Sequence, residues 1–229
     1  MKLFHVETKY EGKIFLPQAL LEQLPTRLTL SGTIQFREQM PDIQRQLEKT
    51  GRKIDLFRGV HDTESGQMLG CDIFTSAKPA DAFLYVGDGL FHPTALLYGN
   101  DKIVFYYNPF NDEIVKLTQK DIQKVLNKKK ASLSLFTMAE RIGVLVSTKP
   151  GQNNIGGALE LKKRVESEGK RAFIFLAETL DIRQLENFPF IQCWVNTACP
   201  RIIEDTNHPM INLWDLRDTV MKGFGVKVV

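Results

Sequence analysis

IGVLVSTKPGQNNIGGALELKKRVESEGKRAFIFLA, Ile142–Ala177, carries the reading of the fold. An apolar run, IGVLV, gives way to turn-forming residues. Leu161 and Val165 then stand four apart on one face of a helix, Gly169 supplies the left-handed stop, and a second apolar run, AFIFLA, follows. A strand, a helix and a strand with short connections imply parallel pairing with the helix crossing over. The same order appears earlier: LTLSGTIQF from Leu28, a helix opened by Pro41 and Asp42 with Ile43 and Leu47 on one face, Gly51, and IDLF. The chain therefore reads as an α/β protein of two related domains, residues 1–135 and 136–229, each a parallel sheet with flanking helices. Between the repeats, FLYVGDGLFHP and IVFYYNP supply an apolar strand, a Gly-Asp-Gly turn, a short helix and a strand ending at Asn108-Pro109. Thr118 and Asp121 then open a helix with Ile122 and Leu126 on one face.

At 229 residues and 43% hydrophobic the chain can bury one large core or two modest ones, which excludes a disordered polymer. Thirty Lys and Arg against twenty-seven Asp and Glu leave a small surplus spread along the chain, so direct nucleic-acid binding is not expected. The one basic run, Lys128–Lys130, reads as lysines offsetting the terminal carbonyls of a helix end. MKLFHVETKYEGK carries charges too early for a secretory segment, and no apolar run reaches membrane-spanning length. The expectation is a soluble, cytoplasmic protein with reduced thiols.

Three cysteines remain to be explained. Cys193, flanked by Ile191, Trp194 and Val195, reads as a core side chain on a strand. Cys71, between Gly66 and Gly70 and the segment Asp72–Phe74, and Cys199, locked before Pro200, read instead as thiols at the carboxyl ends of parallel strands, where open α/β sheets bind ligands. No CxxC pair accompanies them, and His5, His61, His92 and His208 are scattered, so neither a zinc site nor a catalytic thiol with its base is marked by spacing.

SGQMLGC, FLYVGDGLFHP, YYNPFNDEI, RIGVLVSTKPGQ and above all VNTACPRI, in this order along nearly the whole chain, resemble the diphthamide synthase family, specifically its 3-amino-3-carboxypropyl transferase subunits. The resemblance implies a non-classical radical S-adenosylmethionine enzyme. In that family each of three domains gives one cysteine to a 4Fe-4S cluster, one iron staying free for the methionine part of S-adenosylmethionine. Reductive cleavage then yields a 3-amino-3-carboxypropyl radical that adds to a histidine of translation elongation factor 2. Thiolates suit iron-sulfur clusters, and three protein ligands on four irons leave an open position. By the same resemblance Cys71 is the second-domain ligand and Cys199 the third-domain ligand, while the first domain and its cysteine lie outside this sequence. The expected source of the third thiolate is a separate partner chain, ahead of a second copy of this one or of Cys193.

Other loops are placed as cofactor-binding. STKPGQ, with Lys149, Gly151 and Gln152, is read as opening a helix whose backbone N–H groups receive the aminocarboxypropyl carboxylate. Asp88, between Gly87 and Gly89, is read as accepting from an ammonium or hydroxyl, and His92 as orienting a substrate or capping its short helix. Asn196 and Thr197 are read as donors to cluster sulfurs or as caps of local backbone. Arg201 is read as a surface ion pair with Glu204 or Asp205. Two function classes stand side by side: a transferase subunit completed by a partner, and a non-catalytic accessory or electron-transfer subunit of a full-length homologue.

Overall fold

The computed structural model describes residues 8–59, 65–70, 80–98 and 100–217. It divides into two compact units, Met1–Gln123 and Lys124–Val229. The first contains α1 (Gln18–Leu21), β1 (Arg27–Gly32), α2 (Met40–Glu48), β2 (Lys53–Leu56), β3 (Ala82–Val86), α3 (Phe91–Leu96), β4 (Ile103–Asn108) and β5 (Glu113–Leu117). The second contains nearly all of α4 (Gln123–Met138), then β6 (Arg141–Ser147), α5 (Ile155–Ser167), β7 (Arg171–Ala177), β8 (Cys193–Asn196), β9 (Met210–Asn212) and α6 (Leu213–Arg217).

In the first unit the strand order is β2-β1-β3-β4-β5, parallel except for β5. Leu28, Leu30, Leu84 and Phe105 face Met40, Ile43 and Leu47 of α2, so the expected helix face is the buried one. Gly51 takes φ +82 just beyond that helix, the stop its position requires. The antiparallel β5 is a departure from the expected all-parallel sheet. Only Pro109–Asp112 separate it from β4, too few residues for a crossover, and Asn108 and Asn111 tie the hairpin by accepting from the N–H of Phe110 (2.9 Å) and Glu113 (3.1 Å). The segment Ile34–Gln39, which joins β1 to α2, is a 3-10 helix.

The second unit has the order β7-β6-β8-β9, all parallel. Alternation divides its strands between two cores. Ile142, Val144, Val146, Cys193, Val195 and Ile211 pack on Ala158, Leu161 and Val165 of α5 and on Phe136 of α4. Leu145, Trp194 and Met210 pack on Leu185, Ile191 and Ile203. Burial of both faces is why IGVLV is continuously apolar. The expected boundary near Leu135 falls inside α4. The division comes at the start of that helix, because Phe136 and its neighbour Leu133 join the second core. Among the described residues no helix is long and apolar enough to cross a membrane.

Candidate functional site

In both sheets the strand first in sequence, β1 or β6, lies between its two successors. The strand order reverses there, which opens a crevice outside the carboxyl ends of β1 and β3 in one unit and of β6 and β8 in the other. Most sequence-predicted residues arrive at these two edges, each within its own unit.

At the second edge, β8 ends at Asn196 and the chain turns through Thr197, Ala198 and Cys199 into a 3-10 helix, Pro200–Glu204, that Cys199 caps with φ −61 and ψ 124. The turn is braced from inside. Asn196, fully buried, donates one amide N–H to the Cys199 carbonyl at 2.8 Å and the other to Asn212 Oδ1 at 2.7 Å, and its own Oδ1 receives the Ala198 N–H at 3.0 Å. Thr197 donates its hydroxyl to the Leu145 carbonyl at 2.8 Å. Asn212 donates to the Pro200 carbonyl at 3.1 Å. Of the two readings of Asn196 and Thr197, the bonds are those of backbone caps: they fix the backbone that carries Cys199. The Cys199 thiol is half-buried and free, with no hydrogen bond to its sulfur among the described residues. Arg201 pairs with Glu204 as expected, with Nη2 to Oε2 at 2.8 Å, but the pair is not on the surface: the arginine side chain is only 8% exposed. Cys193 sits in the core at 0% exposure, and burial pushes its thiol up to about 12.

Beside this turn, STKPGQ leaves β6 as a Pro-Gly turn. The Gln152 N–H donates to the Lys149 carbonyl at 3.0 Å, and Gly151 has the φ of +76 that the third position of a type II turn needs. The N–H groups of Thr148 and Lys149 go to the Ala177 carbonyl and the Ser147 hydroxyl. Helix α5 opens only at Ile155, where Asn154 Oδ1 already accepts the Gly157 N–H at 3.1 Å. Protein acceptors thus take three of the backbone N–H groups expected to receive the carboxylate. The Lys149 side chain faces solvent, as do those of Thr148 and Gln152.

At the first edge, Gly87–Gly89 follow β3. A Cβ at Gly87 would lie 2.8 Å from the Tyr85 hydroxyl, so only glycine fits. Gly89, at φ +72, donates its N–H to the Tyr106 hydroxyl at 3.1 Å. Asp88 is exposed and receives the Asn108 amide at 3.1 Å. His92, in the first turn of α3, lies parallel to the Tyr85 ring with centroids 6.2 Å apart, and Phe91 meets it edge-on. The segment Gln67–Gly70 is drawn to the same edge, because Gln67 bridges Gly32 and Met68 donates its N–H to the Gly32 carbonyl at 2.9 Å. Cys71 comes next in sequence and lies outside the described residues, as do His5 and His61. Among the described residues no three or more His, Cys, Asp and Glu side chains gather as a metal site.

Sequence reasoning missed Asn212 and Lys128. Lys128 lies not at a helix end but in the body of α4, and it donates to the carbonyls of Ile203, at 2.6 Å, and Thr206. The signal was the helical stripe Lys128, Ser132, Phe136, whose last two members are buried.

Comparison with known proteins fits this architecture. The family model described as diphthamide synthesis protein matches residues 3–217. A 2-(3-amino-3-carboxypropyl)histidine synthase of Pyrococcus horikoshii is 27% identical over 183 residues, covering 80% of this chain and 52% of that protein. One of the same name from Methanocaldococcus jannaschii is 30% identical over 175 residues, covering 72% and 50%. The crystal structure of Dph2 from Pyrococcus horikoshii with 4Fe-4S cluster superposes with a TM-score of 0.74 at 24% identity, covering 87% of this chain and 58% of that one. The chain spans about half the length of the two synthases. With the matched region running through both sheets, the chain belongs to the diphthamide synthesis protein family.

Proposed function

We propose that this chain is a subunit of a 2-(3-amino-3-carboxypropyl)histidine synthase, in which Cys71 and Cys199 hold a 4Fe-4S cluster together with a cysteine from a partner chain. The reaction is transfer of the 3-amino-3-carboxypropyl group of S-adenosylmethionine to a histidine of translation elongation factor 2, in the cytoplasm, as the first step of diphthamide biosynthesis. The observation that carries this reading is the Cys199 turn: a thiol with no hydrogen-bond partner among the described residues, on a backbone braced by Asn196, Thr197 and Asn212 at the carboxyl edge of a parallel sheet. Such a group fits an iron-sulfur cluster, which needs deprotonated soft ligands held in place by their surroundings. When bound, the cluster supplies the electron that breaks the bond between the sulfonium and the aminocarboxypropyl carbon.

This chain's own residues bind and orient. The exposed Lys149 ammonium, on the turn beside β8, pairs with the carboxylate of the transferred group, and Pro150-Gly151 set its direction. In the other unit the exposed Asp88 accepts from the cofactor's ammonium or hydroxyl groups, next to Gly87, whose missing side chain lets the Tyr85 ring pack against the strand end.

The test is transfer of label from carboxyl-labelled S-adenosylmethionine to elongation factor 2 by this chain with its partner, under anaerobic reducing conditions. Cys71→Ala and Cys199→Ala are expected to abolish transfer, and Cys193→Ala to retain it. Transfer that survives Cys199→Ala sinks the ligand assignment. Full transfer by the partner without this chain makes it an accessory subunit.

A further inference from the structure

The 3-10 helix that begins at Cys199 is fixed at both ends by different elements. At its start Asn196 and Asn212 hold the carbonyls of Cys199 and Pro200. At its end the Asp205 N–H takes the Ile202 carbonyl, and a cation beside the carbonyls that follow is favoured by both hydrogen bonding and the local dipole. Lys128 is that cation. Its ammonium donates to the carbonyl of Ile203 at 2.6 Å and to that of Thr206, from a helix more than seventy residues earlier. Lys129 extends the hold by pairing with Asp215 of α6 at 2.5 Å. Burial, aided by Lys124, lowers the Lys128 pKa, the mark of an ammonium partly withdrawn from water to make these contacts.

We propose that Lys128 is a positioning residue for Cys199, fixing the far end of the helix whose first turn sets the direction of the Cys199 sulfur. This rests on the reading of Cys199 as a cluster ligand, and the experiment separates the two. In the full chain without cluster, the alkylation rate of each cysteine by iodoacetamide is followed by peptide mass spectrometry in wild type, Lys128→Met and Lys128→Arg. Lys128→Met is expected to speed alkylation at Cys199 about tenfold, the scale of one charged hydrogen bond lost to local opening. Lys128→Arg, which keeps the charge and the donors, restores a rate near wild type. Cys193, in the core of the same unit, stays slow throughout. An unchanged Cys199 rate, or equal acceleration at Cys193, overturns the positioning role. The reconstituted complex is then examined by electron paramagnetic resonance and redox titration, where Lys128→Met is expected to shift the signal and potential and Lys128→Arg to restore them. Altered alkylation with an unaltered cluster signal overturns the ligand assignment instead.

Discussion

Cys193 and Cys199 stand six residues apart and are chemically opposite. The first points into the core between β8 and α4, its sulfur 3.8 Å from the Ser132 carbonyl, and burial holds its thiol near 12 against an ordinary 9.0. Cys193→Ala is expected to cost about 1 kcal/mol in urea unfolding, the loss of a small buried group. The pH dependence has a definite sign. A folded pKa above the unfolded one means the native state keeps a proton that the unfolded state releases, so the native thiol's contribution is complete below about pH 9 and lost as pH rises towards 12. Above about pH 9 the wild type should lose about 1.4 kcal/mol per pH unit relative to Cys193→Ala, so the gap should close and change sign before pH 11; a constant gap would mean that the thiol reaches water. Both cysteine environments were legible, because the apolar neighbours Ile191, Trp194 and Val195 put Cys193 in the core and Pro200 marked the end of pairing. For Asn196 and Thr197 the sequence left two readings, and their bonds to Asn212 and Leu145 were not legible, since neighbouring strands supply those partners.

At the scale of elements, β6 contains a glycine for reasons of packing. A Cβ at Gly143 would stand 2.4 Å from the Trp194 ring and 3.1 Å from Ile191, on the face shared with Leu145 and Leu185. Gly143→Ala is expected to destabilise by about 1–3 kcal/mol through overpacking, with an altered tryptophan emission spectrum as Trp194 moves. Unchanged stability and emission would show that this face has room to spare. The strands β1 to β4 and β6 to β8, with α2, α5 and their glycine stops, were readable because period and punctuation are local properties. What escaped was either a local turn that its residues disguise or a face set by contacts distant in sequence. The hairpin to β5 hid behind Asn108-Pro109, which reads as a strand end yet is a turn tied by asparagine side chains. The start of α5 was read too early because STKPGQ makes its own turn before Asn154 caps the helix. Helix α4 was divided by the expected boundary because its polar surface conceals the inward stripe that ends at Phe136.

Across the whole molecule, two sheets with the same reversal of strand order each bring predicted residues to a carboxyl edge: Gly87–Gly89 in one, and Lys149 with Cys199 in the other. Duplication of a strand-helix-strand unit accounts for this economically, because a ligand thiol placed beyond a strand end in one copy has a counterpart position in the other. Two cysteines remain available for a cluster once Cys193 is assigned to the core, and four irons with only two protein thiolates leave two irons without support. Anaerobic reconstitution with iron and sulfide is therefore expected to give this chain alone a cluster that loses most of its iron on desalting. The same treatment with a partner that brings a third cysteine should give a cluster that survives. If a second copy of this chain is the partner, iron retention should instead rise with protein concentration and follow dimer formation in sedimentation. A stable, full iron complement on the isolated monomer would exclude both, because the third thiolate would then have to come from Cys193, and the core that buries it would have to open to release it.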